Sequence, residues 1–71
     1  MKEHSAAQVW LFDDPDVDDR WVVYLVEEIE FGVVRSRVLA AAGALAPDYD
    51  IGDWLCFQHG SWIDQNSRRI T

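Results

Sequence analysis

Arg20-Trp21-Val22-Val23-Tyr24-Leu25-Val26-Glu27-Glu28-Ile29-Glu30-Phe31, followed at once by Gly32 and then by Val33-Val34-Arg35-Ser36-Arg37-Val38, decides the fold. The first half is rich in β-branched and aromatic residues and alternates in polarity, which predicts a strand over 20–31. Trp21, Val23, Leu25, Ile29 and Phe31 share the apolar face, while Val22, Tyr24, Val26, Glu28 and Glu30 share the wetter one. A two-residue turn at Phe31-Gly32 sets Glu28 opposite Arg35, Glu30 opposite Val33, Ile29 opposite Val34 and Leu25 opposite Val38. Opposite charges meet, and apolar residues meet. Each such pair contributes about 0.2–1 kcal/mol, and a slip by one residue would turn the apolar set to the wrong face. An antiparallel hairpin is the expected centre of the molecule.

Working outward, Gln8–Phe12 reads as a short strand that Asp13-Asp14-Pro15-Asp16-Val17-Asp18-Asp19 stops with turn formers and a proline. A short apolar strand ending in a charged loop is expected at or near a sheet edge. On the other side, Leu39–Ala46 favours a short helix by propensity, weakened by Gly43 and bounded by Pro47; an extended small-residue crossover is the alternative. The string Pro47-Asp48-Tyr49-Asp50-Ile51-Gly52-Asp53-Trp54 resembles the turn that enters a strand of SH3-like barrels. A second hairpin around His59-Gly60 would set Phe57 opposite Trp62 and Cys56 opposite Ile63. The ends, 1–6 and 66–71, are expected to fray. The sum is one small domain over 1–71, mainly β (small α+β). It is an antiparallel sheet or an SH3-like half-open barrel of about five short strands, with one short helix near 39–46.

Composition narrows the rest. Thirteen acidic against six basic residues give a net charge of −7, and Cys56 is the only cysteine, so no intrachain disulfide can assist a chain of 71 residues. Dense packing of Trp10, Trp21, Trp54 and Trp62, or self-association, is the expected substitute. A lone thiol and the lack of a secretion signal point to the reducing cytoplasm. Val38–Pro47, the longest uninterrupted apolar run, is about half of a bilayer crossing, so no membrane is expected.

Metal and catalytic chemistry find little support. Asp14, Asp16 and Asp18 occupy the first, third and fifth places of a calcium loop, but Asp19 stands where glycine is needed and Leu25 where the bidentate glutamate belongs. Cys56-x-x-His59, even with His4, offers one thiolate where structural zinc sites usually supply two or more. Glu27 and Glu28 fall on opposite faces of a strand, so they cannot work on one bond. No nucleophile motif or phosphate loop is present. No enzyme, metal or cofactor is expected.

The acidity itself is the distinctive feature. Asp13, Asp14, Asp16, Asp18, Asp19, Glu27, Glu28 and Glu30 lie within 13–30 with Arg20 as the only base, so this segment carries the whole net charge. Glu28 and Glu30 would project from one strand face about 6.8 Å apart, near two phosphate steps of a duplex strand at about 3.4 Å each, with the loop acids extending the row. Direct nucleic-acid binding is opposed by this charge, whereas a protein with a basic surface is attracted. The expectation is a non-enzymatic acidic protein-binding module with those eight residues as its contact surface. A small phage-type inhibitor of anti-defence (anti-CRISPR-like) kind, occupying a basic nucleic-acid-binding surface as a nucleic-acid mimic, fits it. The alternative is a structural or assembly subunit, at its simplest a homodimer, joined through exposed aromatics.

Overall fold

The computed structural model describes residues 3–42 and 49–71. The central hairpin forms as the sequence dictates: β2 (Trp21–Glu30) and β3 (Val33–Ala42) are antiparallel, with Glu28 opposite Arg35, Ile29 opposite Val34 and Glu30 opposite Val33. Phe31 and Gly32 make the turn with φ of 52° and 76°, the double positive-φ geometry whose twist matches that of the flanking strands.

Around it stand β1 (Val9–Asp13), β4 (Trp54–Gln58), the helical turn α1 (Trp62–Gln65) and β5 (Ser67–Arg69). All strand pairings are antiparallel, in the order β4-β3-β2-β1-β5. The fold is thus mainly β, five strands and one short helix. The sheet curls strongly, because Trp10 of β1 and Phe57 of β4, three places apart in that order, both touch the ring of His4, at 3.8 and 5.4 Å between centroids. The result is one curled five-stranded sheet folded around its core. The core is Trp10, Phe12, Val22, Tyr24, Val26, Val34, Val38, Leu55 and Phe57.

That core lies on the opposite face of β2 from the one expected. Val22, Tyr24 and Val26 are buried, while Trp21, Val23 and Leu25 are half-buried on the back of the sheet. The reason is a pair of compensating bulges. Val26 pairs with Ser36 but Glu28 with Arg35, so Glu27 is an extra residue in β2; Val23 pairs with Ala40 but Tyr24 with Val38, so Leu39 is an extra residue in β3. Each bulge reverses the alternation locally. Leu25 therefore faces Arg37 instead of Val38, and Ile29 sits on the core side although Leu25 does not.

Three further expectations are corrected. The helix near 39–46 is not found: 39–42 belong to β3, with Ala40, Ala41 and Ala42 opposite Val23, Val22 and Trp21, and 43–46 lie outside the described residues. A run this short is marginal as a helix by itself, whereas β2 offers it a complete ladder. The helix that does exist is α1, in place of the second hairpin. Gly60 reverses the chain with φ of 82°, but its N–H donates to Asp64 Oδ2 at 2.6 Å and its carbonyl accepts from Gln65 Nε2 at 2.7 Å, which winds 61–65 into a turn of helix. Phe57 consequently faces Val34 and Cys56 faces Arg35, and Trp62 instead meets Phe12 edge-on at 5.3 Å.

Near both ends, described residues make defined contacts. β5 pairs with β1, Leu11 opposite Arg68 and Phe12 opposite Ser67, so β1 stands near the edge, as expected, but the edge strand itself is β5. At the other terminus His4 is buried among Trp10, Tyr24 and Phe57. Among the described residues, no helix is long and apolar enough to cross a membrane.

Candidate protein-binding surface

The eight acidic residues of 13–30 do not form one row. β2 advances about 3.3 Å per residue, so the loop before it and the turn after it lie at opposite ends of a molecule whose longest extent is 30 Å. Glu30 is exposed at the turn. Asp13, Asp16, Asp18 and Asp19 are exposed at the other end, in and beside the loop between β1 and β2.

Asp14 serves the loop and not a partner. It is 6% exposed; its Oδ1 accepts the Asp16 N–H at 2.8 Å, and its Oδ2 lies 3.3 Å from Arg20 Nη1. The Asp14 N–H donates to the Arg20 carbonyl at 2.9 Å, so these two residues staple the base of the loop. Asp19 closes it in the left-handed region with φ of 58°, a conformation aspartate tolerates better than most residues. Asp16 and Asp18 are thereby held outward.

Glu27 and Glu28 are brought together, contrary to the expectation of opposite faces, because the bulge at Glu27 turns both towards arginines of β3. Glu28 Oε2 accepts from Arg35 Nη1 at 2.9 Å, and Glu27 Oε1 lies 3.9 Å from Arg37 Nε. The same two guanidiniums cover the Trp54 ring, Arg37 at 3.6 Å and Arg35 at 4.5 Å from its centroid. Each of these cations faces an aromatic ring on one side and a carboxylate on the other, so this part of the surface is locally neutral. Of these eight residues, the carboxylates not engaged by arginine are those of Asp13, Asp16, Asp18 and Asp19 in and beside the loop, with Glu30 apart from them.

What the sequence did not reveal is the neighbour of the loop. On the back of the sheet Val9 faces Leu25 and Leu11 faces Val23, with Asp13 opposite Trp21. On this back face, over β1 and β2, lies an open cleft of about 250 Å³ lined by Leu11, Asp13, Trp21, Val23 and Ile70. The doubly apolar run Trp21–Val26 carried the signal, since a strand apolar on both faces implies that something covers both. Among the described residues, no three His, Cys, Asp or Glu side chains gather where they could hold a metal ion.

Comparison with protein-family models, with curated proteins and with solved structures finds no match. The functional reading therefore rests on the surface itself.

Proposed function

We propose that this protein is a non-enzymatic binding module for a protein with a basic surface. The observation that carries the reading is adjacency. The apolar cleft has Asp13 in its wall, and the loop joining the same two strands holds Asp16, Asp18 and Asp19 outward. An apolar anchor in a desolvated cleft supplies affinity, while a charged rim supplies encounter rate and orientation. The partner's matching element is an apolar side chain flanked by lysines or arginines. Such an element occurs on nucleic-acid-binding surfaces, and an inhibitor that occupies one, of the small phage-type anti-defence kind, has the chemistry required. Asp14, Glu27 and Glu28 leave the contact set, since their carboxylates already engage arginines of this chain.

A defined probe tests it: a short peptide with one tryptophan flanked by arginines, titrated while backbone amide resonances are followed. Saturable shifts are expected at Leu11, Asp13, Trp21, Val23 and Ile70, and a peptide with glycine for tryptophan should bind more weakly. Changing Asp16, Asp18 and Asp19 together to Lys should weaken binding several-fold at low ionic strength and leave the fold intact. Equal binding by the triple variant, or shifts spread evenly to Glu30, would remove the proposal. A concentration-dependent dimer that buries the cleft would favour the assembly reading in its place.

A further inference from the structure

On the core side of the sheet, beside α1, lies a second cavity of about 130 Å³ lined by Phe12, Arg20, Val22, Tyr49, Leu55, Trp62 and Ile63. Its floor is core: Phe12, Val22 and Leu55 are all at most 4% exposed. Its wall is aromatic, with Trp62 half exposed and edge-on to Phe12. The volume matches one six-membered ring, since an apolar cavity of about 150 Å³ is known to accept benzene.

The charged group in this lining is Arg20, whose side chain is 35% exposed. Its Nη1 lies 3.3 Å from Asp14 Oδ2, and its Nε is sealed from solvent and donates to no acceptor among the described residues. The exposed part of the guanidinium is therefore what the lining offers a ligand, and Asp14 does not use all of its donors. The oxygen that suits a guanidinium best is that of a carboxylate, because a charge-assisted hydrogen bond is the stronger kind.

We propose that this cavity binds a monocyclic aromatic carboxylate, its ring seated on Phe12, Val22 and Leu55 beside Tyr49 and Trp62, and one carboxylate oxygen accepting a hydrogen bond from the Arg20 guanidinium. The site faces away from the cleft over β1 and β2 and shares with the docking surface only the Arg20–Asp14 staple, so comparing ligands on the unaltered chain tests it separately. Its chemistry is also opposite: an acidic ligand held by an arginine, in a molecule whose exposed loop repels anions. Selectivity therefore comes from seating the ring, since a bare anion gains too little to overcome the surrounding charge.

Benzoate is the probe, and the side-chain resonances of Arg20 Nε–H and Trp62 Nε1–H are the readouts. Benzoate should move both along one saturable curve, with contacts from its ring protons to the methyl groups of Val22 and Ile63. Acetate, which has the charge without the ring, should move neither over the same range. Benzamide, which has a neutral acceptor, should bind on the order of ten-fold more weakly. Arg20→Gln should weaken benzoate roughly ten- to hundred-fold, and Ile63→Phe, which fills the cavity, should abolish the response. Should either variant misfold, the comparison of three ligands on the unaltered chain still decides. No saturable shift with benzoate, equal responses to acetate and benzoate, or undiminished binding by a folded Arg20→Gln variant would each overturn the proposal.

Discussion

The hydroxyl of Tyr24 lies 3.0 Å from Nε2 of His4, twenty residues earlier in the chain, and both side chains are sealed from solvent. Burial pushes the Tyr24 phenol well above its ordinary value; a hydrogen bond with Ser67 opposes that rise and the nearby Asp64 adds to it. The folded state thus holds the phenolic proton more tightly than the unfolded chain does. Its contribution is fully present below about pH 10, and above that stability should fall by up to about 1.4 kcal/mol per pH unit from this group. Tyr24→Phe should remove that alkaline slope while costing on the order of 1 kcal/mol at neutral pH. Urea titrations at several alkaline pH values check both signs.

His4→Ala should destabilise the protein by about 2–5 kcal/mol, the range for truncating a large buried side chain. The variant loses the stack on Trp10 at 3.8 Å and the contact of Nε2 with the Tyr24 hydroxyl at 3.0 Å. A frayed N-terminus would instead give a change within about 0.5 kcal/mol. Chemical denaturation distinguishes the two outcomes.

Proline scanning of β1 should show a sharp contrast. Asp13 N–H donates to the Asn66 carbonyl and Ile70 N–H to that of Val9, so the backbones of 9, 11 and 13 turn towards β5. Leu11 sits mid-ladder opposite Arg68, and Leu11→Pro should abolish cooperative folding, as proline does inside a sheet. Val9 N–H donates at 3.3 Å to the Thr71 hydroxyl, so Val9→Pro should cost only about 1–2 kcal/mol. Thermal melts of the two variants test the order.

Phe31 is 95% exposed and holds φ of 52°, which for a bulky side chain costs of order 1 kcal/mol or more. Phe31→Asn creates Asn-Gly, the pair best suited to this turn. It should stabilise the hairpin by about 1 kcal/mol, read as a rise in melting temperature.

The hairpin was legible because its evidence was local: Glu28 with Arg35 and Ile29 with Val34 fix the register from four residues on either side of the Phe31–Gly32 bond. Which face is buried was not, because Trp21–Val26 is apolar on both faces and the bulge at Glu27 makes Ile29 a false guide to Leu25. β5 was illegible for a different reason. Ser67-Arg68-Arg69 has no strand propensity of note, and only the vacant side of β1 makes it a strand. The acidic segment was visible as composition, but its division into a stapled Asp14, two arginine-paired glutamates and an outward loop depends on a bulge and a turn with no simple pattern. His4 gave no signal, since its partners come from β1, β2, β4 and α1.

The edge strand β5 and two of the residues around His4, Phe57 and Asp64, come from the last part of the described chain, and this orders events during synthesis. At about 5–20 residues per second, the hairpin of β2 and β3 is available roughly 1–5 s before β5 can pair with β1. Over that interval Trp10 and Phe12 have no cover from β4 or α1, and the nascent chain is a sticky half-sheet. The aspartates of 13–19 are translated before either strand of that hairpin is complete. They give the half-finished molecule a repulsive coat against its own copies, so the same loop guards the newborn chain before it can dock on anything.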